Sequence, residues 1–176
     1  MSEPRATNAG AEDAGEILAF IDSEYPHSPY LKMSGEERTT PLADRRNALI
    51  SGFKSGQCTG FLVRDQGSVA GYLQITRGLL KKTRHCADFG ITVGHSHRKK
   101  GIGKILCSKM ISWFGAQSDI TRLQLQVMSE NQAAIRLFES AGFIREGVRQ
   151  KAFLQDGRYL DEVMMARLKA DSPDGG

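Results

Sequence analysis

Residues 85–127 read, in order, as a strand, a glycine-containing loop, an amphipathic helix and a second strand, and that order constrains the fold more than any other feature. The run 85–94 (HCADFGITVG) is strand-like, and 101–116 (GIGKILCSKMISWFGA) sets its apolar residues along one side of a helix. Leu123, Leu125 and Val127 then alternate with polar residues. A strand–helix–strand unit belongs to a sheet with parallel character. On either side of it the pattern changes. Residues 60–65 and 68–77, around the turn Gln66–Gly67, read as a β-hairpin, and 143–153 and 159–168 flank the turn Gln155–Asp156–Gly157–Arg158. Helices are expected over 11–23, from near Pro41 with Leu42, Leu49, Ile50 and Phe53 along one side, and over Asn131–Ser140 with a stop at Gly142. The expected class is α/β (α+β mixed): a central twisted mixed β-sheet with helices on both faces. With 176 residues, 40% apolar and 25% charged, the chain reads as one domain over 1–169 followed by a flexible polar tail, 170–176.

No stretch approaches the roughly 20 consecutive apolar residues of a membrane helix, so no membrane association is expected. The start MSEPRATNAGAEDAGE lacks a basic segment followed by an apolar one, and no secretory signal is expected there. Cys58, Cys86 and Cys107 are odd in number and far apart. Free thiols in a reducing compartment, the cytoplasm, are the simplest reading. The net charge of +4 is gathered in two clusters. Lys81, Lys82, Arg84 and His85 read as a solvated face rather than a nucleic-acid surface, because no RNP motif, zinc finger or heptad accompanies them. A nucleic-acid partner is therefore not expected. The second cluster, Arg98, Lys99, Lys100 and Lys104, belongs to the loop between strand and helix.

That loop, Val93–Gly94–His95–Ser96–His97–Arg98–Lys99–Lys100–Gly101–Ile102–Gly103–Lys104, carries two glycines at the helix start. A helix N-terminus offers unpaired N–H groups and partial positive charge, and glycine lets a ligand approach the backbone closely. Together they make an anion site that the cations extend. It is not a Walker A loop, which needs a glycine where Arg98 stands and a hydroxyl residue where Ile105 stands. Nor is it a Rossmann fingerprint, which needs a third glycine at Leu106. Arg98-x-x-Gly101-x-Gly103 after a strand ending in Val93 instead resembles motif A of the GNAT N-acetyltransferases. Asn131-x-x-Ala134-x-x-Leu137-Phe138-Glu139-x-x-Gly142-Phe143 resembles that family's motif B, in the right order after the next strand. Glu146–Gly147, Asp156–Asp161 and Met164–Met165 further resemble the branch that holds ribosomal-protein and small-amine acetyltransferases. The resemblance runs over about residues 3–169 and is strongest from 85 onward.

The resemblance implies an acetyl-CoA-dependent transfer of acetyl to a primary amine by direct attack in a ternary complex, with no metal. It implies that backbone amides of Lys99, Lys100, Gly101, Ile102, Gly103 and Lys104, with Arg98, hold the pyrophosphate. Ile91, Thr92 and Val93 would meet the pantetheine arm, with Asn131 and Phe138 close by; Asn131 also suits a helix cap. Homodimers are common in the family. A lysine-like amine of pKa about 10.4 costs about 4.6 kcal/mol to deprotonate at pH 7, whereas a thiolate of pKa about 8.5 leaves unprotonated at about 2 kcal/mol. The base therefore matters more than the acid. Asp88, five residues before Val93 and sharing a strand face with Gly90 and Thr92, is the candidate base, or else an ion-paired strand residue. It would need desolvation or a water relay. Many family members carry a Tyr acid where Phe138 stands here, so Tyr159, Ser140 or water would substitute, or the thiolate would leave unaided. That departure keeps a second reading open, a coenzyme-A-binding regulatory module with impaired catalysis. His95 and His97 read as solvent-facing loop residues rather than metal ligands, and Cys107 as buried packing. The amine acceptor is expected to meet Glu24–Glu37, where Glu24, Tyr25, Tyr30, Glu36 and Glu37 could cradle a cation, and the loop around Tyr159.

Overall fold

The structure, a computed structural model, describes residues 4–31 and 39–170. Its elements are β1 (Ala6–Ala9), α1 (Ala14–Glu24), α2 (Leu42–Ser55), β2 (Cys58–Asp65), β3 (Ser68–Arg77), β4 (Cys86–Val93), α3 (Ile102–Ala116), β5 (Arg122–Met128), α4 (Gln132–Ser140), β6 (Ile144–Gln155) and β7 (Arg158–Leu168). Seven strands form one sheet in the order β1-β2-β3-β4-β5-β7-β6. Among the described residues only β4 and β5 run parallel, joined by α3 as the strand–helix–strand pattern requires. The β2–β3 and β6–β7 hairpins turn on Gln66–Gly67 and Asp156–Gly157, each with positive φ at both positions, the backbone that suits two-residue hairpin loops.

Strand alternation sends one set of side chains to each face. Phe61, Val63, Leu73, Ile75, Leu123 and Leu125 pack under α3 and α4, against Leu106, Met110, Phe114 and Ile135. Leu62 and Tyr72 point the other way, against Ile17, Leu18 and Leu49 of α1 and α2. The expected mixed sheet with helices on both faces is the fold observed. β1 was not legible in the sequence, because ATNA shows no apolar alternation and its strand character comes from backbone pairing with β2 at the sheet edge. No helix among the described residues is long and apolar enough to cross a membrane.

α3 lies very close to the sheet because β3 passes under it at Gly71. A Cβ there would sit 2.6 Å from Ile102 Cγ2 and 3.1 Å from Leu106 Cδ1. Gly71→Val is expected to cost about 1–3 kcal/mol through overpacking, or roughly 2–12 °C in Tm for a chain of this size. Thermal unfolding checks this, and an unchanged Tm would contradict the close approach.

Candidate functional site

β4 and β5 are paired only at Cys86↔Arg122, Ala87↔Leu123 and Asp88↔Gln124. Beyond Asp88 the two strands diverge, and a cleft opens in the middle of the sheet. Its inner part, 310 Å³, is lined by Asp88 to Ile91 on one side and Leu125 to Met128 on the other, with Ala134 and Phe138 of α4. Its outer part, 380 Å³, continues past Ile91, Thr92 and Val93 to Arg98, Lys99, Gly101, Ile102 and Gly103. Asn131 lines both parts, as do Tyr30 and Leu31. The Gly94 N–H bonds the Ala70 carbonyl, and the Gly78 N–H bonds the Cys86 carbonyl, so even-numbered residues of β4 turn their backbone groups to β3. By alternation the N–H and C=O groups of Ile91 and Val93 are directed into the cleft. An extended amide-containing chain fits there as a surrogate strand.

The outer end of the cleft is built for negative charge. Lys99 and Gly101 both adopt positive φ (61° and 83°), which turns the chain sharply into α3. The first N–H groups of a helix have no carbonyl partner inside it. A Cβ on Gly101 would meet nothing within 4 Å, so the space beside this helix start is open. The loop is anchored from behind. The Glu24 carboxylate, with its side chain 5% exposed, accepts the His95 backbone N–H at 2.8 Å, meets His95 Nδ1 at 3.1 Å and lies 3.8 Å from Arg98. His27 stacks on His95 with ring centroids 3.8 Å apart, and His97 Nε2 lies 3.2 Å from Asp65.

At the inner end, Asp88 occupies the last paired position before the strands part. Its side chain is exposed and shares a face with Thr76, Gln74, Tyr72 and Thr92, which line an adjoining 310 Å³ hollow roofed by Ile21 and Leu31. Gln124 Nε2 donates to both Asp88 oxygens, at 3.1 and 3.3 Å. The Tyr72 hydroxyl donates to Gln74 Oε1 at 2.8 Å, and burial raises its pKa above the usual phenol range.

The structure therefore brings most of the sequence-derived residues to one cleft, and it separates others. Ile91, Thr92, Val93, Arg98, Lys99, Gly101, Ile102, Gly103, Asn131, Asp88 and Phe138 all line it. Asn131 Oδ1 also accepts the Ala134 N–H at 3.2 Å, so it caps α4 as well. Phe138 is buried and packs edge-on to Phe89, centroids 5.4 Å apart. Lys100 is exposed outside the lining, and Lys104 borders a separate groove with Cys107 and Arg167. Tyr159 lines neither part of the cleft. Its ring is exposed near the β6–β7 turn, 5.1 Å from Lys151 Nζ. Ser140 donates to the Leu137 carbonyl on the far side of α4. Glu24 serves the loop rather than a free cradle, and His95 and His97 are held by carboxylates rather than facing solvent alone. Glu36 and Glu37 lie outside the described residues. Cys107 is buried, and burial pushes its thiol up to about 12, so it is no thiolate at neutral pH. Sequence reasoning missed Gln124, although its place between Leu123 and Leu125 marks it as a polar residue on the opposite face from the core.

Residues 21–143 match the family model described as the acetyltransferase (GNAT) family. An L-amino acid N-acetyltransferase of Escherichia coli is 34% identical over 103 residues, 58% of this chain and 64% of that protein. A spermidine N(1)-acetyltransferase of Vibrio cholerae is 27% identical over 62% of this chain and 63% of its own length. The matched segment thus spans a little under two thirds of each of these relatives. An acetyltransferase of the GNAT family from Streptococcus pneumoniae superposes with a TM-score of 0.87 at 27% identity, covering 95% of this chain and all of that one. Matched across most of its length by that family model, the chain belongs to the GNAT acetyltransferase family.

Proposed function

We propose that this chain transfers an acetyl group from acetyl-CoA to a primary amine by direct attack within a ternary complex. The observation that carries the reading is the forked β4–β5 pair, whose cleft runs from an anion-binding helix start to an exposed carboxylate. In it, the start of α3 with Arg98 and Lys99 holds the pyrophosphate, and Ile91 and Val93 pair with the pantetheine amides. The amine approaches from the Asp88 side of the sheet. Because Asp88 is exposed, it takes the proton through water rather than through desolvation. Positioning of the two reactants supplies much of the remaining acceleration. The sulfur leaves as thiolate or takes its proton from water, since neither Tyr159 nor Ser140 reaches the cleft. The three free cysteines suit a reducing compartment such as the cytoplasm.

The acceptor is a small primary amine, as in the L-amino acid and spermidine acetyltransferases to which the chain is similar. The test is coenzyme A thiol release from acetyl-CoA over four amine classes: L-amino acids, spermidine, a peptide with a free N-terminal alanine, and an aminoglycoside. Release with at least one class, matched by acetylated product, is expected. Acetyl-CoA binding with no release in any class would favour the second reading, a coenzyme-A-binding regulatory module, which Phe138 in place of an acid residue motivates. Phe138→Tyr sharpens the point. Since unaided thiolate departure costs only about 2 kcal/mol, the added hydroxyl is expected to change kcat/KM by no more than about thirtyfold. A much larger gain would mean that the wild-type site is limited by protonation.

A further inference from the structure

Asp88 stands at the end of a hydrogen-bonded line whose residues come from three strands, β6, β5 and β4, and which passes over β7. Glu146 of β6 takes both terminal nitrogens of Arg122, at 2.8 and 2.5 Å. Arg122 Nε then donates to Gln124 Oε1 at 2.7 Å. With its oxygen engaged by a donor that is always charged, the Gln124 amide can present only its NH₂ group to Asp88, and it reaches both carboxylate oxygens. The fork geometry is bidentate, the arrangement that best fixes an arginine in one orientation. It holds Glu146 below the usual carboxylate range, and Arg122 is raised by the same contact. Gln124 is also the register partner of Asp88 in the last β4–β5 pair before the cleft.

From this line we infer that Gln124, oriented by Arg122 and Glu146, is a positioning residue that aims the Asp88 carboxylate at the mouth of the cleft. The inference rests on the reading of Asp88 as the base. A neutral donor suits that task. An arginine placed directly on Asp88 would pin the carboxylate but weaken it as a base, because a nearby positive charge favours the ionised form. Inserting the glutamine keeps the cation one residue away while passing on its orientation. Among the described residues, Tyr72, Cys58 and Cys86 are titratable groups on this side of Asp88, and Tyr30 lines the cleft beside it. Tyr72 stays protonated through burial, and Cys58 accepts from Gln74 Nε2 at 3.5 Å. Cys86 and Asp88 both act electrostatically on Arg122, so the cation is still felt at Asp88 through space, but without a direct ion pair.

The test is the pH profile of kcat/KM for Gln124→Met and Gln124→Glu, each alone and combined with Asp88→Asn, using the amine that releases coenzyme A fastest in the panel above. Acetyl-CoA affinity by calorimetry reports that the fold and cofactor cleft are intact. Gln124→Met is expected to lower kcat/KM about tenfold in the wild-type background and to have no further effect beside Asp88→Asn, the pattern of two residues acting as one unit. Gln124→Glu is expected to move the acid limb upward by about one pH unit, because a second carboxylate opposes ionisation of the first. Equal losses from Gln124→Met in both backgrounds, or an acid limb that Gln124→Glu leaves in place, would overturn the positioning role while Asp88 remained the base. A wild-type rate for Asp88→Asn, or no turnover of any amine, would instead remove the underlying reading and this role with it.

Discussion

Asp88→Asn is expected to lower kcat/KM by about 10²-fold or more while acetyl-CoA binds as before. The amine arrives protonated, and making it a nucleophile at pH 7 costs about 4.6 kcal/mol for a lysine-like group. An asparagine matches aspartate in shape and can still accept from Gln124 Nε2, so the strand pair and the cleft should survive the change. Only the proton acceptor is lost. Asp88 is exposed at the fork of β4 and β5, so the proton has a water path from the amine to its carboxylate. Steady-state kinetics with a calorimetric check on acetyl-CoA affinity measures both parts. A wild-type rate would take Asp88 out of the mechanism.

Gly101→Asp is expected to weaken acetyl-CoA binding at least 100-fold, about 2.7 kcal/mol. The glycine adopts φ +83°, a conformation that costs other residues roughly 1–2 kcal/mol, although aspartate tolerates it better than most. No atom lies within 4 Å of the added Cβ, so the fold has room for the side chain. A carboxylate near a helix start is electrostatically favourable, which also argues for a folded variant. The damage falls on the ligand, because the new charge occupies the space where phosphate would sit, beside Arg98 and Lys99. Gly101→Ala serves as the control: it carries the backbone strain without the charge, and it should lose much less affinity. Similar losses for both variants would mean that conformation, not charge, governs the site.

How much of this was legible in the sequence depends on what kind of signal each part leaves. The parallel β4–α3–β5 unit and both hairpins were readable because hydrophobic period and turn residues are local properties. The helix start at Gly101 was readable because glycines at fixed spacing serve a backbone purpose. The fork between β4 and β5 left no such mark, since the side chains on both strands keep alternating after Asp88 and only the pairing stops. Glu24 looked like a residue for an incoming cation, yet its partner His95 lies 71 positions away. Tyr159 looked available as an acid because its hydroxyl has suitable chemistry, but the β6–β7 hairpin carries it away from the cleft. Long-range pairing decided these cases, and one sequence carries little trace of it.

The most direct measurement of the central claim is a backbone-amide NMR titration of the 19.4 kDa protein with acetyl-CoA. The largest shifts are expected at Ile91 and Val93 on one wall and at Lys99 to Lys104 at the start of α3, with smaller ones at Asn131 and Ala134. Shifts concentrated elsewhere on the molecule, or a spectrum left unchanged by saturating acetyl-CoA, would contradict the account.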